Sequence, residues 1–246
     1  MQKKRLRESH MEPINLFCIP YAGGSASVIY GKWSQKLDPS IQVKPLELAG
    51  HGRRMSEPFY PTMQAAVTDV LNTIRPQLTE RPYAIYAHSM GTIIAYELVA
   101  AIRAAGLPEP STVFLSGRQP PHHQYENKNM HQMTDDDFLE EIWSMGGTSR
   151  EVFESKEWRA LFLPVLRNDY RIIETYRFQE PVIRTNADLV FFYSDRDHLV
   201  SKPGIYEWDR YTTQGIEHHE FPGGHFFLND AWMEICALIN QKLRNG

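Results

Sequence analysis

A chain of 246 residues, 42% hydrophobic and 23% charged, has the size and composition of one globular domain with a sizeable core and room for an inserted cap. Its net charge of −4 runs against a general nucleic-acid binder, which carries a basic excess. No apolar run approaches the length that crosses a bilayer.

The opening residues, MQKKRLRESH, are basic with no apolar stretch behind them, so they do not read as a secretory signal. Residues 1–12 are expected to form a flexible tail, with Met11 as an alternative start, and residues 13–246 a single domain. The two cysteines, Cys18 and Cys236, fall in apolar patterns with no base beside them. They read as buried thiols of a reducing compartment, and the protein as cytoplasmic.

The first element is expected at Ile14–Ile19, INLFCI, a short apolar run stopped by Pro20 and the small-residue loop YAGGSAS. A short helix is expected at 33–37 and a second strand at 41–48, where Pro45 favours an edge position or a bulge. Residues 62–78 carry a helical apolar face with Thr62 as N-cap. A strand around 84–86 then runs straight into a helix over 92–105, closed by Gly106 and Pro108, and a further strand is expected at Thr112–Ser116. Alternating strand and helix imply a parallel sheet covered on both faces.

Between about 118 and 180 the alternation stops, and helical patterns follow one another with no strand between them. This is expected to be an inserted lid. Thr134 followed by Asp135, Asp136 and Asp137 reads as a helix start, Gly146 and Gly147 as its end. A second helix over 157–176 has Pro164 as a start or a kink; its apolar side chains could line an acyl pocket, although packing on the core is the default. Strands return at 188–193 and 217–221, separated by a helix over 203–211, and a helix over 230–243 closes the domain.

The chemistry centres on Ser89, in the pentapeptide AHSMG between an apolar strand and a helix. This is one residue away from the GxSxG nucleophile elbow, whose sharp strand-to-helix turn exposes the serine hydroxyl. Ala87 and Gly91, two before and two after, are expected to be small because they crowd each other. A serine needs a base, usually a histidine oriented by a carboxylate, and in this class of fold the chain order is Ser, acid, His. The loop SDRDHLV after one strand and PGGH after the last supply that order.

Among the ten histidines, His225 follows two glycines after a strand and is the candidate base. His88 should point away from the nucleophile, His51 sits in a glycine loop, His122 and His123 lie at the start of the insertion, and of His218 and His219 one should be packed and the other exposed. No metal spacing is present, so no metal is assigned. Asp197 is preferred as the orienting acid, with Asp195 as the alternative. Backbone donors for a developing oxyanion, worth about 2.7–4 kcal/mol each, are expected at Met90, after the nucleophile, and at Ala22 in the loop after the first strand, where Gly23 and Gly24 allow close approach. A phosphate cradle at that loop is disfavoured, since neither a GxxxxGK[ST] lysine nor GxGxxG spacing is there; Ser25 and Ser27 read as loop residues.

Taken together, LFCIPYAGGSAS, LELAGHGRR, AHSMG, SGRQPPH, MGGTSREV, LPVLRNDYRIIETY and PGGHFFL, in this order and over nearly the whole chain, resemble the type II thioesterases that accompany non-ribosomal peptide and polyketide synthases. The departures are Ala87 for Gly, AGHG where the family usually has PGRG, and Ser194 for Gly. The resemblance implies an α/β-hydrolase fold: a mostly parallel central sheet, helices on both faces and a helical lid. It implies a triad of Ser89, Asp197 and His225 with Ala22 and Met90 at the oxyanion site. The implied reaction clears misprimed or stalled acyl groups from the phosphopantetheine arm of carrier-protein domains, with no cofactor of the enzyme's own; no nucleic acid or membrane partner is expected, and the chain is expected to be a monomer. The alternatives are a serine esterase or acyl-CoA thioesterase acting on small free substrates and, less well supported, a non-catalytic binding module of the same fold.

Overall fold

The computed structural model describes residues 12–123, 129–147 and 150–245. The expected tail, apart from Glu12, lies outside the described residues, as do 124–128 and 148–149 of the insertion. Six strands, β1 (Ile14–Ile19), β2 (Ile41–Pro45), β3 (Tyr83–His88), β4 (Thr112–Ser116), β5 (Asp188–Ser194) and β6 (Ile216–Phe221), form one sheet in the order β2-β1-β3-β4-β5-β6. Every neighbouring pair is parallel. Eight α-helices are found among the described residues: α1 (Ala26–Tyr30), α2 (Met63–Ile74), α3 (Met90–Ala104), α4 (Asp135–Ser144), α5 (Arg150–Glu154), α6 (Lys156–Thr175), α7 (Lys202–Tyr206) and α8 (Trp232–Asn245).

The central strands read as near-continuous apolar runs because both faces are covered. Phe17 and Ile19 of β1 and Ile85 and Ala87 of β3 join one core with α2 and α3. Leu16, Cys18, Ala84 and Tyr86, on the alternate positions, join a second core with α1 and α8. Both thiols are free and buried; burial pushes that of Cys236 up to about 12, far from a reactive thiolate. The outer strands β2 and β6 are half exposed, so His218 and His219 are both half-buried rather than split between packed and exposed.

Several boundaries moved, each for a local reason. The helix expected at 33–37 begins at Ala26 and tightens into a 3-10 stretch over Gly31–Gln35. Its start is anchored by the Glu47 carboxylate, which accepts the Ala26 N–H at 2.8 Å and the Ser25 hydroxyl at 3.1 Å, satisfying donors that a helix N-terminus leaves free. Ser25 is thus more than a loop residue. Strand β2 stops at Pro45 and lies at the sheet edge. Thr62 does cap α2, accepting the Ala65 N–H, and Thr134 caps α4 through Asp137. Helix α6 runs on through Pro164, which therefore starts no element.

The insertion between β4 and β5 carries α4, α5 and α6 around a small core of its own, including Met130, Phe138, Leu139 and Leu163. Ile172 and Ile173, near the end of α6, pack into the main core instead. The strand order reverses at β1, with β2 on one side and β3 on the other. The crevice beyond the carboxyl ends of strands at such a switch point is where open α/β sheets place ligands. The loops after β1 and β3, bearing Ala22 and Ser89, both open there.

Candidate active site

Ser89 joins β3 to α3 with φ 53° and ψ −114°, a backbone region that costs a non-glycine residue about 1–3 kcal/mol. Its N–H donates to the Ser116 carbonyl at 2.8 Å, which pins the turn to the neighbouring strand. Position 91 has no room for a side chain: a Cβ there would stand 2.8 Å from the carbonyl oxygens of both Ile19 and Pro20. The elbow is pressed against the end of β1, and the restriction is tertiary.

The loops after β5 and β6 bring the two other polar groups to this turn. Nε2 of His225 is 2.8 Å from Ser89 Oγ, and Nδ1 is 2.8 Å from Oδ2 of Asp197. The second carboxylate oxygen, Oδ1, accepts the Leu199 N–H at 2.9 Å. Asp197 and His225 are each 6% exposed, so water competes little for these bonds. Asp195, the alternative acid, points elsewhere: half exposed, its Oδ1 accepts the Gly223 N–H at 2.9 Å. The Ser194 hydroxyl donates to the Gly224 carbonyl at 2.9 Å. Both side chains brace the turn that presents His225.

His88 bonds Ser116 Oγ through Nδ1 at 2.8 Å, but its ring also lies 5.1 Å from that of His225, nearer the site than its sequence position suggests. Complete burial, then the neighbouring His225, hold its pKa well below the ordinary histidine value, so it brings no charge beside the triad. Among the described residues, the N–H groups of Ala22 and Met90 have no hydrogen-bond acceptor, whereas those of Gly23 and Gly24 are taken by Asp169 and by the Tyr21 carbonyl. Of these three successive loop donors, Ala22 is the one left free.

Beside that loop an apolar cavity of about 550 Å³ runs beneath α6, bounded by Tyr21, Ala22, Phe59, Phe162, Val165 and Leu166 among others. Helix α6 thus divides its apolar side chains between packing and lining. Three other candidate histidines are engaged elsewhere: His51 with Asp169 and Ala49, His122 and His123 with Glu207. Ligating atoms of the last three lie within 4.8 Å of one another, and they form the group among the described residues that could hold a metal. The Glu207 carboxylate already faces both imidazoles, at 2.8 and 3.1 Å. The Asp169–His51 pair escaped the sequence reading, although a signal was there: Asp169 falls on the buried stripe of α6 with Leu166, Ile172 and Ile173.

A parallel sheet with a serine on a strained strand-to-helix turn, a histidine on its hydroxyl and a buried carboxylate behind the histidine defines an α/β-hydrolase. The thioesterase domain family matches residues 14–243, and the chain belongs to that family: it is a thioester hydrolase. It is 31% identical over 241 residues to the thioesterase PikA5 of Streptomyces venezuelae, covering 97% of this chain and 85% of that protein. It is 30% identical over 222 residues to the human medium-chain S-acyl fatty acid synthase thioesterase, covering 87% and 81%. Among solved structures, ClbQ from the colibactin NRPS/PKS pathway superposes with a TM-score of 0.90 at 36% identity, over 95% of this chain and 98% of that one. No helix among the described residues is long and apolar enough to cross a membrane.

Proposed function

We propose that this protein releases acyl groups from the phosphopantetheine arm of carrier-protein domains, clearing misprimed or stalled units from a non-ribosomal peptide or polyketide synthase. The observation that carries the reading is the Ser89–His225–Asp197 chain of hydrogen bonds, with an apolar cavity under the inserted helices bordering the loop of Ala22, in a chain akin to synthase-associated thioesterases.

His225 Nε2 takes the proton of Ser89 as Oγ adds to the thioester carbonyl, and Asp197 holds the ring in the required tautomer and stabilises the imidazolium. The N–H groups of Ala22 and Met90 meet the oxyanion. The imidazolium then protonates the departing thiol, leaving an acyl-serine, and a water activated by the same nitrogen releases the acid. Proton transfers and backbone dipoles carry every step, so the enzyme requires no cofactor of its own. The insertion acts as a lid: its α6 roofs the acyl cavity while the arm enters from the surface.

Hydrolysis of an acyl-loaded carrier protein should disappear in Ser89→Ala and His225→Ala; release at the wild-type rate would reject the site. The apolar cavity also accommodates a second reading, in which small free thioesters are the substrates. Comparing kcat/KM for the same acyl group on a carrier protein and on free pantetheine or CoA separates the two, because only the first predicts a carrier preference.

A further inference from the structure

Two ionisable side chains that the triad does not use are sealed between α6 and the core. Asp169 and His51 expose 1% and 2% of their side chains, and Nε2 of His51 stands 2.8 Å from Oδ2 of Asp169. The same oxygen accepts the Gly23 N–H at 2.7 Å. Nδ1 of His51 faces the Ala49 carbonyl at 3.0 Å. One carboxylate carried by the insertion therefore ties down two loops of the core, the one after β1 and the one after β2.

The proton count follows from the partners. A carbonyl oxygen only accepts, so Nδ1 carries a proton, and a second proton must lie between Nε2 and Oδ2, since a bare nitrogen facing a carboxylate would repel it. The clamp as built is thus a protonated pair. The charged groups facing His51 are Asp169 from α6 and Glu47 from the segment after β2. Burial pulls the imidazole down, but the bond to Asp169, its charge, the Ala49 carbonyl and Glu47 outweigh it and leave the pKa above the ordinary value.

The loop so held is the one that bears Ala22. Gly23 has φ +74°, and a Cβ on it would meet Leu166 of α6 at 2.4 Å, so helix and loop are in direct contact. Withdrawing Asp169 would free the Gly23 N–H and let the adjacent peptide, which carries the Ala22 donor, rotate away from the crevice. We propose that Asp169, completed by protonated His51, is a positioning residue that aims the Ala22 N–H at the oxyanion, so that seating of α6 and assembly of the oxyanion site are a single event. This rests on the thioesterase reading above.

With the folded pKa raised, the clamp is complete below the ordinary histidine value of about 6.5 and is lost as pH climbs through the higher folded value. The test measures kcat and KM on an acyl-pantetheine thioester from pH 6 to 10 for the wild type, Asp169→Asn and His51→Arg. Asn keeps an oxygen for Gly23 but removes the charge; Arg supplies a cation that does not titrate. Asp169→Asn, whose amide must turn its NH2 to His51 and release Gly23 once the imidazole is neutral, should move the alkaline fall in kcat to lower pH, with kcat about 10- to 100-fold down beyond it and KM within about twofold. His51→Arg should remove that fall. Profiles for both variants that overlay the wild type would overturn the proposal.

A second arm does not depend on turnover: hydrogen exchange of the 21–24 loop and α6 in the wild-type protein, corrected for the intrinsic rate at each pH. Protection of both should fall together as the pH rises through the transition, and protection unchanged over that range would overturn the clamp. A wild type inactive on every thioester but showing this coupled opening would reject the thioesterase reading and leave the clamp standing.

Discussion

Asp197→Asn puts the candidate triad to its sharpest test, because both oxygens of this carboxylate have donors in front of them. Oδ2 faces Nδ1 of His225 at 2.8 Å and Oδ1 faces the Leu199 N–H at 2.9 Å. An amide has only one oxygen. With its NH2 toward His225, Nδ1 must become the acceptor, the proton moves to Nε2, and Ser89 loses its base. With its NH2 toward Leu199, two donors collide in a site that is 6% exposed, where an unsatisfied group costs about 1–3 kcal/mol. The first arrangement avoids that collision, so the wrong tautomer prevails. Loss of tautomer control costs about 10⁴ in kcat, or about 5.5 kcal/mol of barrier, while the melting temperature should fall by no more than a few degrees. Asp195→Asn keeps the oxygen that accepts from Gly223 at a half-exposed position, and activity should change by about twofold or less. Steady-state hydrolysis of one acyl-pantetheine substrate by both variants decides the matter. If Asp197→Asn stays within tenfold of wild type and Asp195→Asn collapses, the assignment of the acid is reversed.

Gly91→Ala places a Cβ 2.8 Å from two backbone carbonyls that cannot rotate aside; the overpacking should cost about 1–3 kcal/mol, read as a fall in melting temperature, with kcat reduced as the Met90 N–H shifts. His88 is buried with a depressed pKa, so the stability it confers is complete above about pH 6.5 and declines as the pH falls toward its lower folded value. Urea titrations of wild type and His88→Asn between pH 5 and 8 should show a shallower acid decline in the variant, and equal slopes would contradict this. Ala160→Phe, in the cavity wall of α6, should lower kcat/KM for long acyl chains while leaving acetyl substrates within about threefold; an equal loss on both would place the acyl chain elsewhere.

Much of this protein was legible in one dimension because its signals are local. The buried strands announce themselves as apolar runs: β1 and β4 lie at the residues their sequences indicate, and Pro45 marks an edge strand since it cannot donate to a ladder. Ser89 stands out through its small neighbours and the helix behind it, and the order serine, acid, histidine is a property of the chain. Other features depend on groups that meet only after folding. Asp195 and Asp197 share one loop, and what separates them is which oxygen faces His225 and which braces Gly223. Gly91 is restricted by carbonyls at the end of β1, and α1 starts where it does because Glu47, beyond β2, reaches its first amides. The pairing of Asp169 with His51 and Gly23 joins an inserted helix to two core loops. Sequence periodicity records which face of a helix is buried, but not which partner waits there; that is settled by the packing of the sheet and the insertion against each other.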